Sequence, residues 1–192
     1  DLGDKISEEF QKGFNTVILE NHGVVIGAKS MFDAFKSFET LDFSARLEID
    51  AQSLGTPNTL TPEQIDWYKS RQYVVMDEFV EKHMASEEKD IRRNMCKFIK
   101  RAYDQELFTS TQGTFSQRFG EDGFIITPSG MDRKYLEPED LVKIMGNYKE
   151  MDKVPSRSVA LHQEIYRQHP HVNSIIIAHP PCMMAFAVTD AP

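Results

Sequence analysis

Cysteine is scarce in this chain: only Cys96 and Cys182 occur in 192 residues. Two cysteines make no disulfide framework, so stability must come from a packed core. Both read as small buried hydrophobes of a reducing compartment, which implies a cytoplasmic protein. No apolar run approaches the roughly 18 residues that a membrane span needs. The start, DLGDKISEEF, has no signal-peptide apolar region. An excess of basic charge is lacking too. The 22 Lys and Arg stand against 30 Asp and Glu, giving a net charge of -8. That balance argues against nucleic acid and anionic membranes as partners, since both are negative. There is no short-period repeat and no low-complexity segment. An initiator Met is absent and the chain stops at TDAP, so both ends read as cut rather than natural.

Apolar volume is plentiful: 13 Phe, nine Met and six Tyr. TVILE (16–20) and VVIGA (24–28) flank Asn21, His22 and Gly23 as a hairpin. Ser30 and Asp33 form a capping box. The helix they open carries Met31, Ala34, Phe35, Phe38, Leu41 and Ala45 on one face and stops near Gly55. Thr61, Pro62 and Gln64 start a helix expected to reach about His83. Another runs from about Ser86 to Glu106, with an apolar stripe of Ile91, Met95, Phe98, Ile99 and Ala102. Beyond Leu107 the pattern turns to β. Residues 113–119, the turn GEDG (120–123) and 124–127 read as a second hairpin, and 141–145 as another strand. Pro155-Ser156 opens a helix that passes His162 and Tyr166, read as packing residues. VNSIIIA (172–178) reads as a strand buried on both faces, and a short helix begins near Pro181.

Four blocks stand in order over some eighty residues: LFTSTQGTFSQRF, GFIITPSG, LEPEDLVKI and VPSRSVALHQEIYRQHPHVNSIIIAHPP. Together they resemble the first half of a class II aldolase/adducin domain. Residues 16–66, with ILENHGVVIGAKSMFDAF and LTPEQI, resemble the second half of the same domain type. The order is inverted. The simplest reading is a tandem protein seen from mid-domain one to mid-domain two. Residues 1–84 would then close a first domain and 85–192 open a second. A circular permutant, with His22 and His179 in one pocket, is the alternative. The resemblance implies an α/β fold: three α/β/α layers around a mainly antiparallel sheet.

The resemblance also implies roles. The family cradles a substrate phosphate with short hydroxyl side chains and free backbone N–H groups. The matching positions are Thr111, Gly113, Thr114, Ser129, Gly130 and Ser156. Thr114 stands where the family has Asn, and Arg157 where it has a second Ser. An Arg there favours an anion, for example a carboxylate held bidentately. Read without the family, all are ordinary turn residues. The family's zinc polarises the ketose carbonyl and is held by three His and a Glu. His22, in the intact NHG motif, matches one ligand and His179 another. Ile177 stands in place of the first His of a His-x-His pair, and Ser158 in place of the Glu. Neither replacement can do the original's chemistry. The implied activity is a zinc-dependent aldehyde-lyase acting on a sugar phosphate or related anionic keto compound, in a homo-oligomer. Its catalytic carboxylate has no counterpart in 85–192, which reads as degenerate. The alternative is a non-catalytic, adducin-like oligomerisation module.

Overall fold

Ser30 Oγ accepts the backbone N–H of Asp33 at 3.0 Å, the capping bond its sequence promised. The computed structural model that shows it describes residues 1–70, 74–81 and 83–190. The chain forms two compact units, Asp1–Arg46 and Leu47–Pro192. This division is one of compactness. It differs in kind from the 1–84 and 85–192 division by motif.

The first unit opens with helix α1 (Leu2–Gln11), capped reciprocally by Asp1 and Asp4. The sequence reading had left this helix out, although an acidic residue three positions after an N-cap signals it. Strands β1 (Thr16–Leu19) and β2 (Gly23–Ile26) form the expected hairpin. Its turn holds Asn21 at φ 55°. Helix α2 (Met31–Leu54) follows, ending before Gly55 as expected. No residue of this unit is buried. The apolar face expected of α2 is largely open, with Met31, Phe35 and Phe38 exposed.

The second unit is built on six strands: β3 (Asp77–Phe79), β4 (Thr114–Phe119), β5 (Gly123–Ile126), β6 (Val142–Met145), β7 (Tyr148–Glu150) and β8 (Ser174–Ile177). Their order is β3-β7-β6-β5-β4-β8, and only the β3–β7 pair is parallel. Alternation along β5 sends Ile125 to one face and Phe124 and Ile126 to the other. Helix α4 (Ser86–Asp104) covers the first face through Ile91, Met95, Cys96, Ile99 and Ala102. Helix α5 (Val159–Gln168) covers the second through Val159 and Tyr166. The result is the α/β/α arrangement around a mainly antiparallel sheet that the resemblance implied. None of the described helices is long and apolar enough to cross a membrane.

Four expectations need correction. The helix begun at Thr61 is shorter: α3 spans Pro62–Ser70, and Asp77–Phe79 is a strand. Residues 71–73, within the expected helix, lie outside the described residues. The β-branched Val74, Val75 and Val80 favour extended backbone, and β7 offers a free edge to pair with. Strand β8 is not buried on both faces. It is an edge strand, and Ile176 is 62% exposed. Phe98 of the α4 stripe is exposed. Cys182, on the first turn of helix α6 (Pro181–Ala187), is exposed, whereas Cys96 is buried as expected.

Candidate functional site

A pocket of about 650 Å³ opens on the second unit. Three turns and the end of β8 make its walls. The first turn supplies Thr111, Gln112 and Gly113 ahead of β4, which begins at Thr114. Gly113 has φ +73°, and a Cβ there would lie 3.0 Å from the Phe108 ring and 3.3 Å from the Ile177 carbonyl. Only glycine fits without strain. The second turn supplies Ser129 and Gly130, and the third Ser156, Arg157 and Ser158. Thus all seven anion-binding candidates line one pocket, although they come from three separate stretches of chain. Thr114 Oγ1 and Ser156 Oγ lie 2.7 Å apart in a buried hydrogen bond that ties the first turn to the third. Ser156 Oγ also accepts the Ser158 N–H at 3.3 Å.

Two residues that the sequence reading missed line the same pocket: Tyr68 and Arg133. Tyr68 comes from α3. Its hydroxyl accepts a hydrogen bond from Arg157 Nη2 at 3.1 Å, and the guanidinium sits 5.5 Å from the ring centroid. Arg133 follows the TPSG block and is fully enclosed. Neither lies in a motif, so nothing short of the tertiary packing marks them. Among the described residues the pocket lining contains two arginines and no Asp or Glu. In a chain of net charge -8, that is a local reversal of sign.

His179 also lines the pocket, at the end of β8 beside Ile177. Its backbone N–H donates to the Leu107 carbonyl at 2.8 Å. Its Nδ1 is buried without a hydrogen-bond partner among the described residues, and burial holds its pKa below the usual histidine value. His22 is exposed on the β1–β2 turn of the first unit. No group of three or more His, Cys, Asp or Glu suited to a metal ion occurs among the described residues. One imidazole beside Ile177 and Ser158 does not make a resident metal site, since zinc needs three or four such donors. The pocket as built does not fit a catalytic metal.

His162 and Tyr166 of α5 are buried, as read, but they also carry a polar link. Ser116 Oγ lies 2.7 Å from both His162 Nδ1 and the Tyr166 hydroxyl.

The family model for the class II aldolase and adducin N-terminal domain matches residues 1–49 and 93–192, well over half of the chain. The chain belongs to the class II aldolase and adducin family. Among curated relatives, a methylthioribulose-1-phosphate dehydratase of Methylococcus capsulatus is 34% identical over 73 residues. That stretch covers 38% of this chain and 36% of the relative. An L-fuculose phosphate aldolase of Haemophilus influenzae is 35% identical over 74 residues, 38% of this chain and 34% of that one. The L-fuculose phosphate aldolase of Methanococcus vannielii is 32% identical over 89 residues, 46% and 48% of the two chains. The chain thus spans about a third to a half of the length of these relatives. Among solved structures, L-fuculose-1-phosphate aldolase of Thermus thermophilus overlaps 47% of this chain and 46% of its own. It has 27% identity and a TM-score of 0.40.

Proposed function

We propose that the pocket on the second unit of this class II aldolase-family chain binds the anionic group of a sugar phosphate or a related phosphorylated keto compound. One observation carries this reading. Two arginines and a set of hydroxyl-bearing turns converge on a cavity with no carboxylate among the described residues of its walls. Hydroxyls and exposed backbone N–H groups suit phosphate oxygens, and Arg157 adds charge-assisted bonds. The named relatives act on phosphorylated sugars, which favours a phosphate ester over a carboxylate.

This half-domain binds without running the family's metal-assisted chemistry. Ile177 offers no lone pair to a metal, and Ser158 cannot exchange protons near neutral pH. Those two residues favour the adducin-like, non-catalytic reading for 85–192. We assign zinc-dependent aldehyde-lyase chemistry instead to the domain that contains the NHG motif, with His22 as a ligand. The inverted motif order supports a tandem arrangement in which the two roles are separated.

Isothermal titration with inorganic phosphate tests the binding role. Wild-type protein is expected to bind, and Arg157→Ala to bind roughly tenfold or more weakly, the loss of a hydrogen bond to a charged group. Equal affinity in the two proteins, or none in either, would remove the pocket from the account. Zinc content, measured beside His22→Ala and His179→Ala, tests the division of roles: loss is expected with His22→Ala only.

A further inference from the structure

Two arginines of this fold are enclosed almost completely, Arg92 at 0% and Arg133 at 2% exposure. They are neutralised in different ways. Arg92 donates to Glu88 at 2.8 Å and to Glu150 at 2.8 Å, so two carboxylates balance it. Arg133 forms no ion pair with a carboxylate among the described residues, and the neighbouring Asp132 offsets its burial only in part. Its partners are carbonyls only. Nε donates to those of Gln112 and Gly113 at 3.1 and 3.2 Å, Nη2 to Gly113 at 3.1 Å and Nη1 to Met131 at 2.9 Å. A guanidinium has five N–H groups. These bonds use Nε–H and one hydrogen on each Nη, which leaves one on each Nη without a partner among the described residues.

A buried charge with no counter-charge is costly, and native folds seldom keep one. Carbonyl dipoles offset part of that cost. Burial still pulls the Arg133 pKa down, to about 10, so the compensation is incomplete. The residue nonetheless stays charged at neutral pH. It also lines the pocket, whose walls hold no acid among the described residues, and it grips the Gln112–Gly113 turn from behind.

We infer that Arg133 is the fixed positive charge of this pocket, and that the bound anion is its counterion. Arg157, exposed and stacked on Tyr68, makes the adjustable contact from the mouth. Arg133 acts from the wall, where water screens least. The inference rests on the anion-pocket reading above and deepens it: the site selects for charge and not only for hydrogen-bonding shape.

The test is calorimetric titration of the full chain with inorganic phosphate, for wild type, Arg133→Lys, Arg133→Gln, Arg133→Met and Arg157→Ala. Melting temperatures are taken with and without phosphate. The two neutral variants are paired so that misfolding of one does not decide the result. Arg133→Gln and Arg133→Met are expected to lose roughly 10- to 100-fold in affinity, and most of the thermal shift that phosphate gives. Arg133→Lys keeps the charge and is expected to recover most of both. Lys and neutral variants equally impaired, with lowered melting points in the absence of phosphate, would make Arg133 a brace only and overturn the inference. Neutral variants that bind like wild type while Arg157→Ala does not would overturn it and leave the pocket reading standing. No binding by wild type would remove both.

Discussion

His162 is wholly enclosed, and burial pushes its pKa down to about 4 from an ordinary 6.5. Its Nε2 has no partner. The folded protein therefore holds this ring neutral, while the unfolded chain takes up a proton below about pH 6.5. A depressed histidine contributes stability in full above the unfolded pKa, and loses it as pH falls toward the folded one. His179, also lowered by burial, acts in the same sense. Denaturant unfolding is expected to show about 2 kcal/mol less stability at pH 5 than at pH 7 from His162. His162→Asn should remove most of that difference; an unchanged slope would mean the ring is charged in the fold. Gly113 makes a second prediction at this scale. Gly113→Ala must place a side chain at positive φ, 3.0 Å from Phe108. It is expected to cost about 1–3 kcal/mol and to weaken phosphate binding, since the same turn forms the pocket wall. Thermal melts and titration on one sample check both.

Strand β3 shows what the elements add. It joins the sheet by parallel pairing with β7, some seventy residues away in sequence. Ion pairs then anchor it. Lys143 Nζ on β6 donates to Glu81 at 2.6 Å and to Glu88 at 2.8 Å, and Lys149 pairs with Glu78. The Lys143 side chain is 11% exposed and that of Glu88 0%, so removing the cation leaves Glu88 with Arg92 as its one remaining cation among the described residues. Lys143→Met is expected to cost about 1–3 kcal/mol, the loss of one partner from a buried polar network, read by denaturant unfolding. Little or no loss would show that water already reaches the site. The same strand explains a limit of sequence reading. A helix that starts well at Thr61 and Pro62 gives no local sign that β7 will claim residues fifteen positions on. The β4–β5 hairpin was legible because its alternation and its Gly-Glu-Asp-Gly turn are both local. The pocket turns could be marked as turns from TPSG and VPSRS, but only the family resemblance singled them out as a group. Arg133 and Tyr68 were not legible, because burial and stacking across three chain segments leave no pattern in the sequence.

At the scale of the molecule, charge and motif order make the argument together. In a chain of net charge -8, the described walls of the pocket carry two arginines and no acid, the contrast on which the proposed anion role rests. The family match extends over two stretches, 1–49 and 93–192, and the two hold different parts of the family's equipment. The second holds the three pocket turns and, of the two candidate ligands, His179. The first keeps His22 on an exposed turn, in a unit of Asp1–Arg46 with no buried residue. The most direct test of the anion-pocket claim is a crystal structure of the protein soaked with a ketose 1-phosphate. The account predicts phosphoryl density within hydrogen-bonding reach of Arg157 and Ser156, with Arg133 behind it. A ligand seated elsewhere, with this pocket holding only water, would contradict it.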